Sequence, residues 1–144
     1  MNGNSLSRIA YGTINISRFV QDAPGIFNGA LQCSGAGVPI IGIAQEFTNA
    51  IMGTQYAPAQ GYPACASGDS LRLYEQYDMN CMIYVGSGFN VLPGNLLVSD
   101  ASGNAVPINL AASSTQWIGA KAIEGGTAGT LIRCSTYTVP YTHA

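Results

Sequence analysis

Four cysteines, one histidine and seven carboxylates are all that this 144-residue chain offers to reaction chemistry. The cysteines stand at 33, 65, 81 and 134. None forms a CxxC or similar close pair, the arrangement that zinc and iron–sulfur sites draw on. A Ser–His–Asp or Cys–His relay needs an imidazole between nucleophile and carboxylate. The single imidazole, His143, stands one residue from the end of the sequence. Carboxylate pairs for acid–base work can be drawn from Glu75 with Asp78, or from Glu46 with Glu124 if their segments face one another. Glu46 and Glu124 each close a strand before a turn, where a carboxylate accepts backbone N–H groups, and that is the role expected of them. The glycine-rich GGTAGT at 125–130 has neither the Lys-Ser/Thr of a phosphate loop nor a following helix. Positive φ at Gly129 for a tight hairpin explains it better. Asp100-Ala-Ser-Gly103-Asn104 begins like a calcium loop but has no acidic ligand at its far end. No catalytic, metal or cofactor site is expected, and the chain reads as a non-enzyme. Its cysteines read as buried free thiols acting as small hydrophobes, with disulfides the minority reading for a cytosolic protein.

Composition points to β structure with an unusual surface. Charged residues are 8% of the chain, against roughly 25% in a typical soluble domain. The apolar fraction is an ordinary 47%, so Gly, Ser, Thr, Asn and Gln replace the missing charge. Two readings follow: a surface buried in an assembly, where interface cores are poor in charge, or a neutral, hydroxyl-rich β surface. Direct binding of nucleic acid is disfavoured, because the five Lys and Arg are scattered and the net charge is −2. No apolar run approaches the roughly 20 residues that cross a bilayer. The start of the sequence carries no signal-peptide core, so synthesis in the cytoplasm is expected.

Strand signals dominate and no segment carries a convincing helical period. Apolar residues alternate from Ile14 through Ile16, and Ala-Pro24-Gly25 is a type II turn signal. Val38 to Phe47 is a compact buried strand. Residues 48–67 read as one long loop carrying Tyr56 and Tyr62. Ser70 to Gln76 and Cys81 to Val85 are short strands. Val91 to Val106 reads as a hairpin with turns at Gly94 and Gly103, and Trp117 to Ile123 pairs with Thr130 to Val139. The expectation is an all-β fold: a small barrel or β-tulip-like domain of short antiparallel strands with an extended N-terminal arm. Residues 1–20 form the arm and first strand, and residues 21–144 a single β domain.

The chain also echoes itself. Gly42, Ala44 and Glu46 match Ala120, Ala122 and Glu124 in spacing, and Gly68, Leu71 and Arg72 resemble Gly129, Leu131 and Arg133 with a one-residue offset. GALQCSGAGVP from Gly29 is set beside GNLLVSDASGNAVP from Gly94. Two packed hairpin-like halves, a pseudo-duplicated barrel, would produce this pattern.

The segment IGAKAIEGGTAGTLIRC resembles the C-terminal strand–turn–strand of phage capsid cement, or head decoration, proteins. Gly119, Ala122, Glu124, Ala128, Gly129 and Ile132 fill that pattern, with Cys134 near the usual valine. VLPGNLLVSDASGNAVP resembles the family's preceding hairpin at Val91, Gly94, Leu97, Asp100, Gly103, Ala105 and Pro107. The likeness spans about the last third of the chain plus its weaker echo. The insertion at 48–67 departs from the family pattern.

The resemblance implies a structural virion protein on the outer surface of an icosahedral head, clamping neighbouring major capsid proteins of an HK97-like shell and stabilising it. It implies a homotrimer, no membrane and no cofactor. It also implies an N-terminal segment that pairs with a capsid strand, here Ser5, Arg8, Ile9, Tyr11, Ile14 and Ile16. Tyr56, Tyr62, Tyr137 and Tyr141 are the candidate loop and tail contacts, and Gly94, Gly103, Glu124 and Gly129 the structural turns. Alternatives are another virion β module, such as a head-fibre base or minor capsid protein, or a carbohydrate-binding β domain using Trp117 and the loop tyrosines.

Overall fold

The computed structural model describes residues 7–44, 63–65, 67–68, 70–74 and 80–142. Among these there is no helix, and the strands are short and mostly antiparallel. The first seven are β1 (Ser7–Ala10), β2 (Ile14–Asn15), β3 (Phe19–Asp22), β4 (Gly29–Gln32), β5 (Gly42–Ala44), β6 (Pro63–Cys65) and β7 (Ser70–Tyr74). The second seven are β8 (Asn80–Tyr84), β9 (Asn90–Val91), β10 (Leu96–Ser99), β11 (Ala105–Pro107), β12 (Gln116–Ala122), β13 (Gly126–Thr127) and β14 (Leu131–Tyr141).

Each set of seven builds the same object. In the first, β1, β4, β3, β5 and β7 pair in that order into a closed barrel, with β1 and β4 the parallel pair. In the second, β11, β10, β12, β14 and β8 pair in that order, and a parallel bridge between Val85 and Ala105 joins the two edges. Replacing β1, β3, β4, β5 and β7 by β8, β10, β11, β12 and β14 turns one order into the other. The two-stranded pairs also correspond, β2 with β6 and β9 with β13.

Hydrogen bonds outside the ladders repeat as well. Tyr11 N donates to Ala30 O, as Gly86 N does to Ala105 O. Ala44 N donates to Arg18 O, as Ala122 N does to Asn95 O. Gly68 N donates to Ala10 O at 2.7 Å, as Gly129 N does to Val85 O at 2.9 Å, and both glycines have positive φ. The match of Gly42 and Ala44 with Ala120 and Ala122 therefore lies in true register. That of the last strands needs no offset: Leu71 corresponds to Ile132 and Arg72 to Arg133. GALQC, in contrast, corresponds to β11, and the counterpart of β10 is β3. Short glycine-flanked strands look alike, and pairing order, not local sequence, tells them apart.

The barrels are narrow, so small and branched residues alternate inside them. The first encloses Ala10, Ile14, Val20, Ala30, Ala44 and Leu73. The matching positions of the second are Val85, Val91, Leu97, Ala105, Ala122 and Cys134, all buried. The first part of β14 alternates: Ile132, Cys134 and Thr136 point in, while Arg133 and Tyr137 point out. A register shift between β12 and β14 falls at Gly119, between Ile118 and Ala120.

Gly119 is also where the barrels meet. A side chain there would overlap the ring of Phe19, and a Cβ would lie 2.8 Å from Ile40 Cδ1. Phe19 and Ile43 face out of the first barrel and are completely buried against the second barrel's core. Phe19 N donates to Gly103 O at 2.8 Å and Trp117 N to Ala36 O at 2.7 Å, so the seam carries main-chain bonds as well as apolar contact. Arg18 closes it. The guanidinium lies 4.4 Å from the centre of the Tyr84 ring and donates through Nη1 to Ile16 O at 2.8 Å. Burial pushes its pKa below the ordinary arginine value, a pull opposed by Tyr84 and Asp100.

Candidate interaction surface

Where the expected residues fall separates core from surface. Ser5, Tyr56 and Tyr62 lie outside the described residues, as does Glu46. Part of the expected 48–67 loop is strand: β6 pairs with β2 through Cys65 and Ile14. Of the expected arm, Ser7–Ala10 is a barrel strand paired on both sides, with β4 and β7. Ile14 and Ile16 are buried at 0% and 5% exposure, so they serve the core and present no side chain to a partner. Arg8 Nη1 is held at 2.6 Å by Asp22 Oδ1. Ile9 and Tyr11, in contrast, face solvent.

Near Ile9 stand two further exposed apolar residues, Ile26 and Phe27, that sequence reasoning missed. Ile9 N donates to Asn28 O at 2.9 Å, which brings β1 beside the β3–β4 connection. That connection is two turns in series. Ile26 N donates to Ala23 O around Pro24 and Gly25, and Gly29 N donates to Ile26 O around Phe27 and Asn28. Gly25 and Asn28 supply positive φ of 75° and 57°. The second turn holds Phe27 at its tip, 97% exposed, with Ile26 partly exposed at its base. Large apolar side chains in contiguous exposed patches mark interaction sites far more than isolated ones do.

The same connection in the second barrel is one residue shorter and polar. Asp100 Oδ1 accepts from Ser102 N and Asn104 N at 2.8 and 2.9 Å, and Gly103, φ 79°, stands where Asn28 does. The Asp100 carboxylate is thereby occupied by its own turn, and no group of metal-ligating residues occurs among the described residues. Comparing Ala-Pro-Gly-Ile-Phe-Asn at 23–28 with Asp-Ala-Ser-Gly-Asn at 100–104 is the signal that would have found Ile26 and Phe27.

The remaining expected residues are structural or line shallow grooves. Glu124 Oε2 accepts from Arg133 N at 2.9 Å, and Oε1 lies 3.4 Å from Arg133 Nε. Gly94 has φ 88° and Gly129 φ 82°. Tyr137 is exposed and lines a groove of about 370 Å³ with Leu96, Lys121 and Ser135. Tyr141 packs against the cluster of Val98, Val106 and Ile118 on the outer face of the second sheet. A groove of about 520 Å³ over Val98, Val106 and Ile108, rimmed by Phe89, lies on that face. Among the described residues Lys121 is the only charged side chain lining either groove, and no carboxylate or imidazole lines them.

No protein-family model and no curated protein matches this sequence. Among solved structures, the chain is similar to the head fiber gp8.5 N base of bacteriophage phi29. The TM-score is 0.52 at 17% identity, over 96% of this chain and 98% of the other. Both chains are spanned nearly end to end, so the likeness covers both barrels and shows a shared fold.

Proposed function

We propose that this chain is a non-enzymatic structural protein of a phage particle, a compact base that seats on the head surface. The observation that carries this reading is the end-to-end fold likeness to a head-fibre base from phage phi29. The low charge and the exposed apolar face at Ile9, Tyr11, Ile26 and Phe27 support it, because a stable contact needs apolar anchors at its centre. On this reading the partners are the major capsid protein and further copies of the chain, and the seat is the first barrel's Phe27 end.

A second reading is favoured by the two hairpins at Val91–Pro107 and Gly119–Cys134, which resemble those of capsid decoration proteins. There the chain covers the head as a repeated clamp, as a trimer, and stabilises the shell. Cryo-electron microscopy of purified particles from the source phage tests both. Density for the two barrels at a few defined positions supports the base, and density repeated over every capsomer supports the clamp. Particles without the chain by mass spectrometry would overturn both.

A further inference from the structure

Cys81 and Cys134 are register partners across β8 and β14. Their Sγ atoms are 3.6 Å apart. A disulfide spans about 2.05 Å, so each sulfur need move by less than about 1 Å to bond the other. We propose that this pair is an oxidation site: Cys81 and Cys134 form a cross-strand disulfide that joins the first and last strands of the second barrel.

The placement favours this pair over Cys33, the other cysteine whose side chain is described. Cys33 is buried at the seam, with Sγ 3.5 Å from Gly35 O and no second sulfur beside it among the described residues. Cys81 stands one residue from the start of β8, and β8 is the outermost strand of its sheet. The bridge that closes the barrel is at Val85, beyond the other end of that strand. Local opening of an edge strand costs far less than global unfolding, and opening at the Asn80 end bares Cys81 first. In the closed barrel Cys81 is 6% and Cys134 0% exposed. The hydrogen bond with Cys81, together with burial, also holds the Cys134 thiol well above its ordinary pKa, which disfavours its thiolate while the barrel is closed.

With a small disulfide such as oxidised glutathione the electrons balance. The Cys81 thiolate attacks one glutathione sulfur, forming a mixed disulfide and expelling one glutathione thiolate. The Cys134 thiolate then attacks the Cys81 sulfur, forming the protein disulfide and expelling the second. The two cysteine thiol protons end on the two glutathiones released. The new bond closes the chain around β9 to β13, a long loop whose cross-linking restricts the unfolded state most. In the first barrel the position of Cys134 is taken by Leu73, so that barrel has no such staple.

Incubating the full chain with oxidised glutathione, then alkylating in denaturant without reductant and mapping peptides by mass spectrometry, tests the proposal. The expected product is a Cys81–Cys134 linked peptide, with a melting temperature raised by about 10 °C that falls back on adding reductant. A Cys81→Ser chain should gain no such shift. The proposal is overturned if both thiols remain alkylatable, if Cys81 stops at a lasting glutathione adduct, or if the link joins Cys33 or Cys65 instead. The wild-type map decides even if the variant fails to fold.

Discussion

Ser17 and Gly94 occupy the same place in the two barrels. Each has positive φ, 58° for Ser17 and 88° for Gly94, and each donates its amide to the inner alanine of the next long-range strand, Ala44 and Ala122. The second copy uses the residue that adopts this backbone freely; the first holds a side chain there against it.

Ser17→Gly should therefore stabilise the protein by about 0.5–1 kcal/mol, the left-handed cost less the greater freedom of glycine in the unfolded chain. Asn28→Gly, at the position of Gly103, should be close to neutral, because asparagine tolerates this region. Chemical denaturation of the two variants beside the wild type checks the ordering.

Gly129→Val and Gly119→Ala should both destabilise, for unlike reasons. At Gly129 no atom lies within 4 Å of the added Cβ, so the cost is backbone strain, about 1–3 kcal/mol. At Gly119 the backbone is permissive but the methyl meets the Phe19 ring, so the seam must part, at about 1–3 kcal/mol. Pairing each with Phe19→Leu separates them in denaturant titrations. The smaller side chain should relieve Gly119→Ala and leave Gly129→Val unchanged.

Arg18→Met should lower stability by about 1–3 kcal/mol, because it leaves Ile16 O without its donor and removes the cation from the Tyr84 ring. Arg18→Lys keeps the charge without the planar stacking face and should fall between. Thermal melts of the three chains give the series.

Phe27→Ser should leave the melting temperature within a degree or two of wild type, since Phe27 has almost no intramolecular contact to lose. It should nevertheless weaken incorporation of the chain into particles, measured by quantitative mass spectrometry of purified virions. Undiminished incorporation would remove the Phe27 tip from the attachment surface.

The parts of this fold that local sterics dictate are open to sequence reading. Glycine at 68, 94, 103 and 129 marks turns because positive φ excludes most other residues, and these positions do have it. Gly42 and Ala44 match Ala120 and Ala122 because two narrow barrels impose the same small residues inside. Pairing order is a long-range property, which is why GALQC looks like β10 although it pairs as the counterpart of β11, and why β6 is not legible within the 48–67 stretch. The apolar face was half legible. Ile9 and Tyr11 sit in a sequence that looks ready to pair, whereas Ile14 and Ile16, equally β-prone, turn inward. Ile26 and Phe27 follow a Pro-Gly turn signal that explains the backbone and diverts notice from the side chains.

The first barrel buries Phe19 and Ile43 at the seam, whereas their counterparts Leu96 and Lys121 line an open groove of the second, so two like barrels meet through unlike faces and the body has a direction. The β3–β4 connection adds a second difference, since its counterpart at Asp100–Asn104 is polar and self-satisfied. One barrel repeated thus yields two ends that a partner can tell apart, by their faces and by one turn.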